Sequence, residues 1–432
     1  MARTEEPRGA KQVMFKPFAE LAKKLKGDRR GNVLIISAIG AASLVGAAGL
    51  GVDTTQWFLA KRQLQQATDS GALAAALNMY RGSAFYDTAV NEIDRNFTDT
   101  VTIERIVNPP QVGAYSGDSS AIEVVATVNR RLPFSSIFIS SSPLIRTRSV
   151  ATVVSEGEHC VISLAEDGTG IEVQGNADVL LGCGVAANSP NGLSIDLGGT
   201  SYLSASPISA VGGIDYASNN IPSSSVLQPY GLEVKDPLAD RGLEPPTDPA
   251  GCTYNNLTVR PNTHVTLSPG RYCNGLTIRG SVTMQPGVYI IDGGTLLVNS
   301  QADVTGEGVT FVLTGNNSST VADIQINGGA DIDLRAPTPE EDSTWYGILF
   351  YQDTMGSTTE SKINGDSGMQ IEGIVYLPKG NVTFNGNSGQ HADCLLLVAN
   401  RVNFSGTSSL DNDCPSHIEE VDTAARIIRI VE

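Results

Sequence analysis

An uncharged apolar stretch, Val33–Val52, is the feature that most restricts what this 432-residue chain can fold into. As an α-helix rising about 1.5 Å per residue, it spans roughly 30 Å, the thickness of the hydrocarbon core of a bilayer. Residues 1–32 carry nine Lys or Arg and four Asp or Glu, so this head is +5 and the rest of the chain is −22, giving the total of −17. The positive-inside rule therefore predicts a cytoplasmic stub at 1–32, a transmembrane helix at 33–52 and an exported body from Asp53 onward.

The same stretch allows a second interpretation, a signal peptide that is cut off. Ala47-Ala48-Gly49 has the small-x-small pattern of a cleavage site. Against this, the apolar core is longer than that of a signal peptide, and the helical pattern continues past it without a break. We expect a retained single-pass anchor.

All six cysteines follow the apolar stretch, on the side predicted to be exported. They are Cys160, Cys183, Cys252, Cys273, Cys394 and Cys414, and their spacings of 23, 21 and 20 residues suggest three sequential bridges among the fifteen possible pairings. No pair has the C-x-x-C spacing that zinc or redox sites favour. An even number of exported cysteines suits disulfides in an oxidising compartment such as the periplasm, and buried free thiols are the alternative.

Small residues recur at helical spacing both inside and beyond the apolar stretch. Inside it, Ala42 with Gly46 and Ala47 with Gly51 form small-xxx-small pairs, which favour close helix contacts in lipid. Beyond it, alternating steps of three and four define a seam of Trp57, Ala60, Leu64, Ala67, Gly71, Ala74 and Asn78. We predict that these residues form a surface for assembly with other helices. The alternative is that the seam packs against this chain's own small domain.

Two folded regions are predicted after the apolar stretch: a helix with a small α+β domain at 53–154, and a mainly-β exported domain at 155–432. In the second region "LTVRPNTHVTLSPGRY" is echoed by "LTIRGSVTMQPGVY", and "VTFNGNS" is echoed twenty residues later by "VNFSGTS". Such a period, with Gly, Asn and Asp at the turns, is typical of a parallel β-solenoid or β-helix. A β-sandwich of short strands is the alternative. A Pro-rich excursion at 219–250 interrupts the repeats.

The charge and the motifs weigh against several functions. An exported body of net charge −22 is unsuited to nucleic acid, which binds basic surfaces. Glycan cleavage would need paired acids on one face. The candidate acids are Asp292, Asp303, Asp331, Asp333 and Asp353. Most of these acids fall at predicted turns, and the sequence has neither a metal-ligand spacing of histidines nor a nucleophile motif, so we expect no enzyme activity and no cofactor.

Two weaker binding interpretations stay open. Clustered carboxylates at Pro339–Asp342, or Asp411 with Asp413, would offer oxygen ligands to calcium, although a solvated acidic loop is the simpler interpretation. A flat array of threonines would suit ice or a glycan, although exposed threonines are common on strands. Its members would be Thr258, Thr266, Thr277 and Thr283.

Several segments carry a family resemblance: "DRRGNVLIISAIG", "GLGVD" and "AKRQLQQATDSGALAAAL", and more loosely "ATVNRRLPFSSIF" and "RTRSVATV". Over roughly Asp28–Val154 the chain resembles the TadE/TadG-like proteins of tight-adherence (Tad, or Flp) pilus assembly. The resemblance implies a bacterial inner-membrane protein with a pilin-like N-terminal helix, and other pilus-assembly membrane proteins as partners. Processed pilins carry glutamate five positions after the cleaved glycine; here Ile36 holds that position after Gly31, so we expect the stub to remain attached.

The glycine-rich region Cys160–Cys414, with "CVISLAEDGTG" and "IEGIVYLPKGNV", is similar to the C-terminal region of some TadG-related proteins. These observations together predict a pilus-assembly component that acts through its helix and a stiff periplasmic β domain. The alternative is a membrane-tethered β-solenoid that binds or cleaves a surface glycan.

Overall fold

The computed structural model describes residues 31–137, 140–357, 359–365, 369–392, 394–410, 418 and 421–432. They form two compact units. Unit 1 comprises the described residues up to Val153 together with Ile428–Glu432, and unit 2 comprises Val154–Ile427. The predicted stub at 1–32 lies almost wholly outside the described residues.

Unit 1 begins with a long helix, α1 (Gly31–Tyr80), which continues without interruption from the apolar stretch into the seam. Gly82 ends the helix in the left-handed conformation (φ 69°), and the amides of Gly82 and Ser83 donate to the carbonyls of Met79 and Asn78 at 2.9 and 2.8 Å. This is a glycine-dependent helix stop. A second helix, α2 (Tyr86–Asn96), follows and buries Ala89 and Ile93.

Three antiparallel strands complete most of unit 1: β1 (Thr102–Val107), β2 (Ala121–Asn129) and the first half of β3 (Leu144–Ser163), which continues into unit 2 from Val154. The central strand β2 is buried along nearly its whole length. Residues from the far end of the chain extend this sheet, because the amide of Val150 donates to the carbonyl of Glu432 and the amide of Val431 donates to that of Val150, both at 2.8 Å. Unit 2 is therefore an insertion, in sequence, between two segments of unit 1.

The core of unit 1 forms between α1, α2 and the inner face of the sheet. The α1 residues in it are mostly alanine, which permits close approach of the neighbouring elements. The fully buried members are Ala60, Leu64, Ala67, Ala72, Ala75, Ala76, Ala89, Ile93, Ile122, Val124, Ala126, Ile145 and Ala151.

The strands that follow β3 belong to unit 2, except that β25 continues from unit 2 into unit 1 at Ile428. They are β4 (Ile171–Leu181), β5 (Gly184–Ala187), β6 (Ile195–Leu197), β7 (Tyr202–Ser204), β8 (Ile208–Ala210), β9 (Ile214–Asp215), β10 (Leu227–Gln228), β11 (Tyr254–Val259), β12 (His264–Leu267), β13 (Gly270–Ile278), β14 (Ser281–Met284), β15 (Gly287–Asp292), β16 (Thr295–Val298), β17 (Asp303–Glu307), β18 (Val309–Thr314), β19 (Asp323–Ile326), β20 (Asp331–Arg335), β21 (Ile348–Gln352), β22 (Glu360–Gly365), β23 (Met369–Ala392), β24 (Cys394–Leu410) and β25 (Ala424–Ile430).

The echoed segments pair in parallel, residue on matching residue. Leu257 lies opposite Leu276 in β11 and β13, and Phe384 lies opposite Phe404 in β23 and β24. In-register pairing places like side chains above one another, and the rings stack through the core at centroid separations of 4.9, 5.8, 5.5 and 5.2 Å. This row consists of Tyr254, Tyr272, Tyr289, Phe311 and Phe350.

The β-solenoid (β-helix) predicted for 155–432 is wrong: the strands of unit 2 include a closed parallel barrel of eight strands. The circuit runs β13–β15–β18–β21–β23–β22–β19–β16 and returns to β13. Two long strands close it. β13 pairs with β15 before the positive-φ residues Asn274 and Gly275 and with β16 after them, and β23 likewise pairs with both β21 and β22. The repeat period indicates only which segments are neighbours; closure depends on strands that take part in two ladders.

Two disulfides join sequential cysteines, Cys160 with Cys183 and Cys252 with Cys273. Cys394 is also disulfide-bonded, and Cys414 lies outside the described residues. Their sequence separations of 23 and 21 residues are those on which the predicted order of bridges was based.

The Pro-rich excursion at 219–250 contains only β10 and a single turn of 3₁₀-helix, Ala239–Arg241. It is nevertheless packed, because Val234 and Leu238 are buried in a cluster with Trp345 and Tyr351. The excursion covers a second, smaller core of unit 2.

Candidate functional site

The apolar half of α1 is exposed over almost its full length. Large side chains such as Leu34, Ile36 and Leu44 are 76, 68 and 73% exposed. Among the described residues, α1 is the one helix long and apolar enough to cross a membrane. Exposure of so many apolar side chains indicates a surface that is covered by something other than water, as in a membrane span or a signal anchor.

The predicted assembly residues divide into an exposed and a packed group. Ala42, Gly46, Ala47 and Gly51 are exposed, and no other atom lies within 4 Å of a Cβ built on Gly46 or Gly51. Ala60, Leu64, Ala67 and Gly71 are buried inside unit 1, whereas Trp57 and Ala74 are half-buried. At Gly71 a Cβ would meet Ile93 Cγ1 at 2.7 Å and the carbonyl oxygen of Ala89 at 3.1 Å, so α1 and α2 are in close contact there.

A helix turns by about 100° per residue, which assigns these residues to two faces of α1. The buried residues share one face with Gly49 and Asp53, and Ala42 and Gly46 extend that face into the apolar half. Ala47 and Gly51 lie roughly 160° to 200° away from Gly49, on the opposite face. The opposite face is exposed at Ala47 and Gly51 and again at Phe58, where the side chain is 63% exposed.

Asp53, the first charge after the apolar stretch, is buried and holds a turn of the chain that lies 81 residues further on. Its carboxylate accepts hydrogen bonds from the amide of Phe134 at 3.1 Å, from the amide of Ser135 and from the Ser135 hydroxyl. A carboxylate that accepts three hydrogen bonds keeps its charge when it is removed from water. The motif "GLGVD" thus anchors the turn formed by "LPFSSI".

Gly49 completes this contact from one helical turn closer to the N-terminus. A Cβ at this position would lie 2.8 Å from the Phe134 ring, so only glycine leaves room for the aromatic side chain. Beside the turn, Trp57, Leu132 and Pro143 help line a small cavity of about 190 Å³. Sequence reasoning recognised "GLGVD" as a motif but not its partner; the signal was a glycine and a carboxylate four residues apart, which share one helix face.

Unit 1 also contains a buried charge cluster around Glu123, whose side chain is fully buried. It accepts from Arg148 Nε at 2.6 Å, from Arg105 at 3.2 Å and from the amide of Gln111 at 3.1 Å. Burial alone would raise the pKa of Glu123, but the hydrogen bonds and charges of its arginine partners hold it below its ordinary value. Arg148 also pairs with Glu432, which ties the last residues into the same cluster.

The acids proposed for glycan chemistry are dispersed over unit 2. Asp292 pairs with Arg271 at 2.7 Å, and the buried Asp353 accepts from the Thr314 hydroxyl at 2.7 Å. Asp303 and Asp331 are neighbours in register on the exposed face of β17 and β20, and Asp333 lies two residues further along β20. The pairing therefore brings together only members of one exposed ladder.

The neighbours of Asp303 do not reproduce a nucleophilic triad. The Ser281 hydroxyl donates to Asp303 at 2.8 Å, and His264 Nδ1 lies 3.1 Å from the same hydroxyl oxygen. In a serine triad the histidine lies between the serine and the acid, whereas here the serine lies between the other two. These three side chains are neighbours only because their strands pair in register, and they lie on the exposed face of the sheet.

Within the described ranges, no three His, Cys, Asp or Glu side chains cluster as a metal site. In the acidic loop 339–342, Glu341 is paired with Arg335 and Asp342 accepts from the amides of Thr344 and Trp345, so both acids hold the loop itself. Asp411 and Asp413 lie outside the described residues. The four threonines of the suggested array pair as Thr258 with Thr277 and Thr266 with Thr283.

A polar cleft with a volume of about 500 Å³ lies among the described residues of unit 2. Its walls carry charges of both signs, including Glu166, Asp236, Lys379 and Arg401. Tyr376 donates to Asp236 at 2.8 Å, and Arg401 pairs with Asp167 and donates to the carbonyl of Thr169. Much of the hydrogen-bonding capacity of the cleft is thus used within the fold.

Comparison with known proteins gives one result, which concerns α1. No curated protein and no solved structure matches the chain. The family model Tad, described as putative Flp pilus-assembly TadE/G-like, matches residues 31–78. This range confirms the resemblance seen in "GNVLIISAIG", "GLGVD" and "AKRQLQQATDSGALAAAL"; the looser resemblance of the later segments lies outside it. Residues 31–78, which include the exposed apolar helix, Gly49, Asp53 and the packed seam, are therefore a TadE/G-like Flp pilus-assembly domain.

Proposed function

We propose that this protein is a membrane-anchored structural component of a tight-adherence pilus-assembly system, in which α1 binds the helices of partner membrane proteins. The match of the Tad family model to the helix that carries the exposed apolar surface supports this proposal most directly. The partners would be other membrane proteins of the same assembly system.

The contact surface on α1 that we propose is the face of Ala47, Gly51 and Phe58. The opposite face is occupied further out, where Phe134 packs on Gly49 and where Ala67 and Gly71 pack inside unit 1. A partner helix that followed that face outward would collide with the turn. Between Ala47 and Phe58 the other face is exposed, and its small residues Ala47 and Gly51 allow the backbones of two helices to approach closely.

The orientation is part of the proposal. The basic stub would stay in the cytoplasm, α1 would cross the bacterial inner membrane once, and the rest of unit 1 together with unit 2 would lie in the periplasm. The disulfides of unit 2 fit this assignment, because an oxidising compartment maintains such bonds. The proposed role is one of contact and positioning, with no catalytic step.

A matched pair of glycine substitutions tests the contact surface. Gly51→Leu places a branched side chain on the proposed surface, and Gly46→Leu places the same side chain on the other face; both positions have open space around them in this chain. We expect Gly51→Leu to reduce surface pili by up to about tenfold, since losing roughly 1.4 kcal/mol of helix association lowers the association constant by that factor. Pili are counted by electron microscopy in a strain whose own copy is deleted and replaced.

An immunoblot checks that the variants are present at comparable levels. Gly46→Leu is the control variant, and we expect it to leave the pilus count near that of the unmodified protein. Normal pili with Gly51→Leu would exclude the proposed face. Normal pili in the deletion strain itself would exclude a role in pilus assembly, and the glycan-binding alternative would then be tested on unit 2.

A further inference from the structure

The turn that Asp53 holds exposes apolar side chains to the surroundings of α1. In the 132–137 turn, Ile137 is 74% exposed and Phe134 is 40% exposed. On α1 itself, Phe58 and Leu59 are 63 and 55% exposed just beyond the apolar stretch. Water would disfavour this concentration of exposed apolar surface at one level of the molecule.

The position of Phe134 along α1 indicates the depth of the turn. Its ring lies against Gly49, which belongs to the apolar stretch and precedes the last apolar residue, Val52, by three residues. At about 1.5 Å per residue, the ring is therefore about 4.5 Å inside the end of the predicted span. If α1 crosses a bilayer, Phe134 is level with the outermost part of the acyl chains.

The amide groups of the turn meet the requirement for entering lipid. A peptide group in hydrocarbon must have its hydrogen-bond partner within the protein. Pro133 has no amide hydrogen, the amides of Phe134 and Ser135 donate to Asp53, and those of Ser136 and Ile137 donate to the carbonyls of Leu132 and Phe134, each at 3.1 Å. Every amide from 133 to 137 is thus satisfied without water.

The residues on the water side of the turn suit a headgroup region. Trp57 is half-buried four residues beyond Asp53, and the ammonium group of Lys61 lies 5.5 Å from the centre of its ring. Arg131, immediately before the turn, is exposed. Tryptophan and basic side chains are enriched at the level where lipid headgroups meet the acyl chains.

We propose that the 132–137 turn is inserted into the membrane leaflet through which the outer end of α1 passes, with Phe134 and Ile137 in contact with acyl chains. The inference rests on the proposed membrane span of α1. It adds a second point of membrane contact, distant in sequence from the first, which would fix the tilt and rotation of unit 1 at the membrane surface.

Depth-dependent fluorescence quenching tests this placement in the full-length protein. The protein is reconstituted into phosphatidylethanolamine–phosphatidylglycerol vesicles that contain lipids spin-labelled near the headgroup. Ile137→Trp in a Trp57→Phe background is the probe, since the side chain is exposed and its replacement should not disturb folding. The background protein keeps the buried Trp345, so its emission is measured separately and subtracted. The control is Val112→Trp in the same background, because Val112 is also exposed and its carbonyl is bonded to Arg148.

The control position is well outside the membrane. Arg148 accepts a hydrogen bond on its own carbonyl from Gln65, which lies twelve residues, or about 18 Å, beyond Asp53 along α1. We expect the spin label to reduce emission from the tryptophan at position 137 about twofold, with a blue-shifted spectrum, and to leave the control nearly unchanged.

Equal quenching at both positions, in vesicles that retain the protein after alkaline carbonate extraction, would overturn the insertion and leave the span intact. A blue-shifted but unquenched probe would also overturn it, because a protein surface would then cover the turn. Release of the protein by carbonate would refute the membrane span, and with it both proposals.

Discussion

In unit 1, α1 packs against its neighbours through small residues such as Ala67 and Gly71. The core of unit 2 instead contains a row of five aromatic rings from Tyr254 to Phe350. In unit 1 each buried side chain contributes little free energy of unfolding, and stability depends on close approach of the backbones. In unit 2 the large buried areas and the ring contacts repeated on successive strands contribute more.

This contrast follows from what each unit packs. The helix α1 has small residues where it lies against its neighbours in unit 1, and unit 1 therefore tolerates little extra volume. Parallel strands in register place like residues over one another, so the large side chains of unit 2 stack in rows. The two units should respond differently to cavities, to added volume and to acid.

The largest expected effect is a cavity in the aromatic row. Phe311→Ala removes a ring that is 1% exposed and contacts the rings of Tyr289 and Phe350. We expect unit 2 to lose about 3–5 kcal/mol of unfolding free energy, measured by urea denaturation followed by near-ultraviolet circular dichroism.

The helical signal of unit 1 should be little affected by Phe311→Ala, and Tyr216→Ala is a suitable control because Tyr216 is 42% exposed. That control should change the stability by about 0.5 kcal/mol or less. An equal loss in both units would show that they unfold as one cooperative body and would remove the basis of the comparison.

Mild acid should lower the unfolding free energy of unit 2 more than that of unit 1, by a smaller amount than the cavity does. His159 is buried in unit 2, where Nε2 lies 2.9 Å from the Ser209 hydroxyl and Nδ1 lies 3.2 Å from the carbonyl oxygen of Thr423. Burial lowers its pKa to about 4, from an ordinary value of 6.5. Because the unfolded chain binds this proton more readily, stability falls as the pH drops below 6.5 and the full loss is reached below pH 4.

For this histidine we expect a loss of about 2 kcal/mol between about pH 7 and about pH 5. In the same interval Glu123 of unit 1 stays ionised, since its pKa is held below the ordinary value. His159→Gln should flatten the acid response of unit 2, whereas His264→Gln, at an exposed histidine, should not. A response that persists in His159→Gln would assign the acid sensitivity to other groups.

The smallest effect concerns added volume in unit 1. Gly71→Ala places a Cβ 2.7 Å from Ile93 Cγ1, and we expect a net loss of about 1–2 kcal/mol after the gain in helix propensity. Gly46→Ala adds the same methyl group where no atom lies within 4 Å. Thermal unfolding in detergent micelles, followed by the helical circular dichroism signal, compares the two variants. Equal melting temperatures would show that α2 moves aside and that close approach is not essential.

Much of this organisation can be read from the sequence. The uncharged stretch indicates the exposed helix, and the echoes beginning at Leu257 and Leu276 indicate which strands are neighbours, because apolar periodicity and turn residues act locally. The match at residues 31–78 likewise falls on the segment that the motifs had marked.

The closure of the barrel and the partner of Asp53 could not be read in the same way. Closure depends on β13 continuing through Asn274 into a second ladder, and each half of that strand looks locally like any other repeat. The turn at Phe134 is 81 residues from Asp53, and a single sequence does not indicate which distant amides will meet a carboxylate. Long-range hydrogen bonds and the closure of the barrel are determined by tertiary structure, because several pairings would be equally compatible with the local sequence.

The pairing of Val150 with residues 431 and 432 also has a consequence for the order of folding during synthesis. Arg148 pairs with Glu432 across 284 positions. The sheet of unit 1 therefore cannot be completed until residues leave the ribosome that are synthesised long after α1. The inserted unit 2 has all its strands up to β24 before then. A nascent chain would thus hold most of unit 2 and an unfinished unit 1, and a chain interrupted before residue 428 would keep its apolar helix but lack the last five residues, which belong to unit 1.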